Sequence, residues 1–145
     1  MKKLLFAVLV TIAVATSSFA AGTNVSVSVL HSFKSKFENA TNVSWLISDQ
    51  YAKATFVVDN SKMEVFYTEH GDLIATSKSI NMEELPVDAK RAFAKKFAGY
   101  AVKEVIRFED AAETALFFSA ENEKESIIFK IGNNEKLTTY KKTKK

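Results

Sequence analysis

Apolar residues recur at every fourth position in two stretches of the chain, a spacing that places them along one side of an α-helix. A shift of 60 residues relates the two stretches. The apolar positions are Val25, Val29, Phe33 and Phe37 in the first stretch, and Leu85, Ala89, Phe93 and Phe97 in the second. Residues 25–29 also alternate between apolar and polar, as a strand does, which predicts a late start for the first helix.

Four short segments rich in β-branched and aromatic residues follow each predicted helix, and clusters of turn residues separate them. This pattern is typical of an antiparallel meander. The segments span residues 42–48, 51–58, 62–68 and 73–77 after the first helix, and 102–109, 114–120, 125–131 and 137–140 after the second. The sequence therefore predicts an α+β protein of two tandem repeats, each a helix plus a four-stranded antiparallel sheet.

The boundaries of the predicted units follow from this repeat. Residues 21–80 form the first unit, residues 81–140 the second, and the lysine-rich residues 141–145 a frayed basic tail. Gly99 falls just after the second helix, where chains often need a left-handed backbone, and Asn39 is its counterpart after the first. We therefore expect both residues to adopt a positive φ.

Residues 1–20 have the pattern of an export signal. Two lysines precede an apolar run over residues 4–15, and small side chains suit cleavage after Ala20 or Ala21. Twelve apolar residues are too few to cross a membrane as a helix, which takes about 20. We therefore expect a periplasmic or secreted protein without a membrane span.

Composition narrows the class of protein further. The chain has 145 residues, of which 47% are hydrophobic, and it contains no cysteine. Disulfides, a thiol nucleophile and the cysteine acylation of a bacterial lipoprotein are therefore excluded. The formal charge of +3 comes from lysines at the two termini, because residues 4–140 carry 14 basic and 17 acidic residues. A basic face for nucleic acid is not expected.

Short motifs in both halves of the chain match those of a known family. They lie at residues 33–37 (FKSKF), 40–45 (ATNVSW), 63–67 (MEVFY) and 71–73 (GDL), and at 85–89 (LPVDA), 93–100 (FAKKFAGY) and 102–105 (VKEV). With these motifs the chain resembles the PepSY-like exported proteins that share the fold of beta-lactamase inhibitor protein and are common in Bacteroidetes. The resemblance implies two tandem helix-plus-four-strand units in an envelope protein, with protein binding as the functional precedent. Because the matching positions are structural, the resemblance does not extend to the inhibition of a beta-lactamase, which the sequence leaves open.

Residues that could carry chemistry are sparse. The two histidines, His31 and His70, share no motif of a metalloprotease, a serine hydrolase or a nucleotide-binding site. We therefore expect no enzyme and no cofactor. The turn at residues 69–72 (EHGD) offers oxygen and imidazole ligands, but too few for a calcium loop. We interpret it as a hairpin turn without a metal, and a small-molecule or metal-binding sensor remains the alternative function.

Alternation along the strands predicts that the sheet face turned away from the helices is more apolar than an ordinary solvent-exposed face. Residues such as Phe56 and Phe118 would point toward the helices, and the residues between them would point away. The strands that contain Trp45 and Val105 leave their orientation open. The outward residues that we predict to bind a partner are Tyr51, Lys53, Val57, Glu64, Phe66, Phe117, Ile128 and Lys130.

In the leading hypothesis this exposed face binds an envelope protein or peptide. Tyr51, Phe66 and Phe117 would be aromatic anchors inside a rim of lysine and glutamate, as in many protein interfaces. In the alternatives a loop, the tail or a second copy covers these residues, or they are scattered among polar neighbours. The sequence leaves the oligomeric state open.

Overall fold

In the computed structural model, which describes residues 24–145, two helices alternate with two sets of four strands. The helices are α1 (Val27–Lys36) and α2 (Val87–Lys96). The strands are β1 (Thr41–Ile47), β2 (Ala52–Val58), β3 (Ser61–Tyr67), β4 (Leu73–Ser79), β5 (Ala101–Asp110), β6 (Thr114–Glu121), β7 (Glu125–Ile131) and β8 (Leu137–Lys144). A 3-10 turn at Met82–Glu84 precedes α2. The predicted signal peptide, residues 1–20, lies outside the described residues.

All eight strands form one antiparallel sheet in chain order, with β1 at one edge and β8 at the other. β4 pairs with β5, where Ser77 lies opposite Phe108. The prediction of two four-stranded sheets is therefore corrected, because backbone pairing between β4 and β5 joins all eight strands into one sheet. Asp59 and Asn60 join β2 to β3, as predicted, with φ values of 48° and 59°. Two positive φ values in a two-residue loop match the twist of a hairpin. Within residues 24–145, neither helix is long or apolar enough to cross a membrane.

The ends of the helices follow local chemistry. The Ser26 hydroxyl accepts a hydrogen bond from the Val29 N–H over 3.3 Å, so α1 begins at Val27, the late start that the alternating sequence predicted. Gly99 has a φ of +89°, as predicted. The prediction for Asn39 is wrong, because the first residue after α1 that adopts a positive φ is Asn42, at 52°. Asn42 lies where the register between β1 and β2 shifts, and this irregularity absorbs the unusual backbone.

Both helices pack on the same face of the sheet, each over its own apolar cluster. Phe33 of α1 meets Phe56 edge-on, with ring centres 5.0 Å apart, and Phe93 of α2 meets Phe118 in the same way at 5.2 Å. Trp45 packs against the first cluster and Val105 lies inside the second. Both side chains therefore face the helices, which resolves the two strands that the sequence left open.

The expectation of a frayed basic tail is wrong, because β8 continues to Lys144. β8 pairs antiparallel with β7, and ion pairs add to this pairing near its end. Lys142 lies 2.8 Å from the Glu125 carboxylate, and Lys145 lies 3.0 Å from that of Glu121. Lys145 lowers the pKa of Glu121 below its usual value, and Lys142 does the same for the pKa of Glu125. Lys141, Lys142 and Lys144, which the sequence placed outside the fold, thus belong to its last strand.

Candidate functional site

The sheet face opposite the helices carries its own apolar layer, which we call the open-face cluster. Its buried members are Phe66, Ala75, Ile106, Phe108, Ala115 and Phe117, and its half-buried margins are Tyr51, Ile74 and Ile128. They come from strands and from the loop before β2, and neither helix of residues 24–145 contributes to the cluster. The strand pleat explains this, because neighbouring residues such as Phe117 and Phe118 point to opposite faces.

The two predicted phenylalanine anchors lie on this face, as the alternation predicted, but they are not exposed. Phe66 is 3% exposed and Phe117 is 1% exposed. Neighbouring side chains cover their rings, which sequence alternation alone does not register. The Tyr51 ring meets Phe66 edge-on at 5.5 Å, and the Tyr140 ring meets Phe117 edge-on at 5.3 Å. The expectation of solvent-exposed phenylalanine anchors is therefore corrected, and the two rings form the floor of the face.

A lysine lies over each of the two phenylalanine rings. The Lys53 ammonium is 5.9 Å from the centre of the Phe66 ring, and the Lys130 ammonium is 5.7 Å from the centre of the Phe117 ring. Each lysine also lies directly opposite its phenylalanine on the adjacent strand. The methylene stem covers ring surface while the charge stays at the rim, where it also interacts with the π-face.

Both lysines are paired with glutamates at the margin of the face. Lys53 lies 3.2 Å from the Glu64 carboxylate, and Lys130 lies 2.5 Å from that of Glu113. The Thr55 hydroxyl donates a further hydrogen bond to Glu64 over 3.4 Å. All four charged side chains are partly buried. The face thus has an apolar centre and two fixed pairs of opposite charges, one on each side.

The structure groups most of the predicted site residues and leaves one apart. Tyr51, Lys53 and Phe66 meet at one side of the open-face cluster, with Glu64 joined to them through Lys53. Phe117, Ile128 and Lys130 meet at the other side. Val57 points to the same face but lies outside the cluster, opposite Lys62 and Thr41 near the end of β2.

Sequence reasoning missed four large side chains of this face, which are Ile74, Ile106, Phe108 and Tyr140. Ile106 and Phe108 belong to the strand whose orientation had been left open. Pairing Val105 with Phe118, which faces the helices, would have turned its neighbours outward. Tyr140 was placed at the end of a shorter last strand, next to the expected tail, so its contact with Phe117 carried no local signal.

The turn at residues 69–72 packs against the start of α1. Gly71 has a φ of +91°, and a Cβ there would lie 2.8 Å from the Ser28 carbonyl oxygen of α1. The Ser26 hydroxyl donates to the Glu69 carbonyl oxygen over 3.0 Å. His70 and Glu69 contact each other at 3.3 Å with both side chains exposed. Among the residues that the structure describes, no three histidine or acidic side chains are grouped as a metal site requires.

Comparison with known proteins places the fold. No family model matches the chain, and no curated protein has a similar sequence. Three similar solved structures come from Bacteroides species. One, from Bacteroides eggerthii and provisionally described as periplasmic, has a TM-score of 0.74 and 15% identity over 84% of this chain and 90% of its own. A BLIP-like protein from Bacteroides fragilis has a TM-score of 0.68 and 20% identity over 86% of this chain and 89% of its own.

The third similar structure is a DUF2874 family protein from Bacteroides ovatus. Its TM-score is 0.70 and its identity 17%, over 85% of this chain and 89% of its own. At these identities the similarity shows the fold alone. The predicted fold of beta-lactamase inhibitor protein is therefore confirmed at the level of a BLIP-like fold.

Proposed function

We propose that this chain is a non-enzymatic binding module of the cell envelope, which binds a protein or peptide through the open face of its sheet. One observation carries the proposal. A continuous apolar cluster lies on this face without a covering helix among residues 24–145, and lysine–glutamate pairs border it on two sides. An apolar centre inside a charged rim is the usual anatomy of a protein interface.

The burial of Phe66 and Phe117 changes how such a partner would be held. A partner would contact the side chains that cover the two rings, which are Tyr51, Tyr140 and the lysine stems. Tyrosine is enriched at interfaces because it offers a large apolar area and a polar tip. Phe66 and Phe117 would support these side chains from below, and the rim charges would select the orientation of the partner.

Export and internal repetition are parts of the same proposal. An export signal at residues 1–20 would place the module in the periplasm, and the provisional description of the Bacteroides eggerthii structure supports that location. The helix followed by four strands occurs twice in the chain, which supports descent from one duplicated unit. Membership of the PepSY-like proteins is proposed on the sequence motifs alone.

Affinity capture with matched variants tests the proposed function. The purified chain is immobilised and exposed to envelope extract of the cells that produce it. One variant combines Tyr51→Ala with Tyr140→Ala on the open face, and the control combines Val27→Ala with Val87→Ala on the exposed sides of the helices. We expect a protein that the wild type and the control retain and that the tyrosine variant loses.

Two results would contradict the proposal. Equal retention by both variants would place the binding surface elsewhere, and the absence of any retained protein would remove the protein-binding hypothesis. Circular dichroism of each variant confirms that the fold is intact before capture, so that lost binding is not confused with unfolding.

A further inference from the structure

The two edges of the sheet differ in charge. β8 carries Lys141, Lys142 and Lys144, and lysines on an edge strand discourage pairing with another strand. β1 at the opposite edge has the sequence TNVSWLI and carries no charged residue. One edge is therefore guarded against strand addition in the usual way, and the other is not.

β1 also exposes apolar side chains and backbone groups. Val43, Leu46 and Ile47 are 39%, 40% and 37% exposed. The Ser48 N–H donates to the Tyr51 carbonyl oxygen over 3.0 Å, which sets the alternation of the β1–β2 ladder. Hydrogen-bonded positions alternate along an antiparallel strand, so from Ser44 onward the even-numbered residues of β1 direct their backbone groups toward β2. The N–H and C=O groups of Trp45 and Ile47 therefore point away from β2, outward from the sheet.

We propose that β1 pairs antiparallel with β1 of a second copy of this chain, so that the two sheets join edge to edge around a two-fold axis. The pairing uses the edge strand and does not depend on binding at the open face. The irregular register near Asn42 limits it to the regular part of β1, from Ser44 to the end of the strand.

A second copy is the occupant that the charges of the two edges favour. Pairing β8 with β8 would bring lysines of two chains together, and like charges on facing strands are unfavourable. Pairing β1 with β8 leaves a free edge at each end and would extend into a filament rather than close. Pairing β1 with β1 closes on itself, and no charged residue of either strand stands at the contact.

The outward backbone groups and the regular part of β1 together fix the register of this pairing. An axis at Trp45 would pair Ile47 with the irregular Val43, and an axis at Ile47 would pair Trp45 with a residue beyond the strand. Leu46 is therefore the axis that uses both outward residues of each chain. With the two-fold axis at Leu46, Trp45 of each chain faces Ile47 of the other, and both residues turn toward the partner the N–H and C=O groups that point away from β2. The two Leu46 side chains then form a pair without mutual backbone hydrogen bonds, in which strands bring side chains closest together. Trp45 and Ile47 meet on the helix side of the sheet, and Leu46 meets its own copy on the open side.

Sedimentation velocity over a roughly hundredfold range of concentration tests the assembly, since association depends on mass action. The full coding sequence is expressed, and the protein is purified in the form in which the host leaves it. Leu46→Lys sets two ammonium groups opposite each other at the axis. Val87→Lys adds the same charge at a 57% exposed apolar position on α2 and is the matched control.

We expect a dimer for the wild type and for Val87→Lys, and at least about a tenfold rise in the dissociation constant for Leu46→Lys, because like charges on facing strands repel. A monomer throughout, a dimer insensitive to Leu46→Lys, or equal weakening by Val87→Lys would overturn the proposal. A dimer insensitive to the lysine at the axis would assign the contact to another surface.

Cross-linking gives a readout that does not depend on how well the lysine variant folds. The chain contains no cysteine, so Leu46→Cys introduces a single thiol. In the proposed register two such thiols stand directly opposite each other, and an added oxidant such as diamide, which takes up the two electrons and two protons, should convert them to a disulfide-linked dimer. Val87→Cys is more exposed but distant from β1, and it should stay monomeric. Equal cross-linking of both variants would contradict the β1 register.

Discussion

The ammonium group of Lys130 lies 5.7 Å from the centre of the Phe117 ring, on the strand directly opposite. The contact combines two kinds of stabilisation, since the stem shields the ring from water and the charge interacts with its π-face. Lys53 and Phe66 make the same pair at the other side of the open-face cluster. This arrangement keeps two large rings buried on a sheet face that no helix of residues 24–145 covers.

Replacing Phe117 with alanine should destabilise the fold strongly. The ring is 1% exposed and packs edge-on against Phe108 and Tyr140. Loss of a buried phenylalanine costs about 3–5 kcal/mol of unfolding free energy, through lost burial and a residual cavity. Urea denaturation measures the change. Val87→Ala at an exposed helix position should stay within about 0.5 kcal/mol, and a similarly small change in Phe117→Ala would show that the ring is not part of the core.

The lysine stem and the lysine charge over Phe117 can be separated by two substitutions of Lys130. Lys130→Met keeps most of the apolar cover but removes the charge that pairs with Glu113. Lys130→Ala removes both, so it should destabilise more than Lys130→Met and should raise binding of a hydrophobic dye to the uncovered ring. Chemical denaturation and dye fluorescence report the two effects. Equal behaviour of the variants would mean that the stem does not shield Phe117.

The loss of stability on replacing a glycine with alanine should depend on the backbone conformation at that glycine and on the space around it. Gly132 has room for a Cβ and no positive φ, so Gly132→Ala should change stability by less than about 0.5 kcal/mol. Gly99 has a φ of +89° with open space, and Gly99→Ala should cost about 1–2 kcal/mol. Gly71→Ala should cost most, because its Cβ would also lie 2.8 Å from the Ser28 carbonyl oxygen. Thermal unfolding of the three variants gives the order, and any other ranking contradicts it.

Acid should loosen the end of β8 before the centre of the sheet. Lys145 lowers the pKa of Glu121, and Lys142 lowers the pKa of Glu125, relative to the ordinary value of 4.5. A lowered pKa in the folded state gives stabilisation that is present above the unfolded-state value and is lost as the pH falls through the lowered value. As the pH falls through the lowered pKa values of Glu121 and Glu125, the hydrogen-exchange protection factors of β8 should therefore fall before those of β6.

The same contacts have an alkaline counterpart. The Glu125 carboxylate raises the pKa of Lys142, so this contribution is present at lower pH and is lost as the pH rises through the raised value. Glu121→Gln together with Glu125→Gln should remove most of the acid dependence of β8. Unchanged acid dependence in that double variant would show that other groups hold the strand.

The sequence by itself determined the features that depend on neighbours along the chain. Apolar residues at every fourth position around Phe33 and around Phe93 predicted the two helices. Alternation of apolar and polar residues assigned Phe117 and Phe118 to opposite faces of the sheet. Turn chemistry located the Asp59–Asn60 hairpin. These features follow from helix and strand periodicity and from local backbone preferences, and both depend only on residues close together in the sequence.

The tertiary structure decided what depends on residues distant in the chain. Phe66 and Phe117 are buried because tyrosine and lysine side chains from other strands, or from the loop before β2, cover their rings. The residues next to each phenylalanine in the sequence give no indication of these contacts. The course of β8 depends on pairing with β7, which turned an expected tail into an edge strand. Orientation is a property of the strand, whereas burial is a property of everything packed around it, so sequence alternation predicted the first and missed the second.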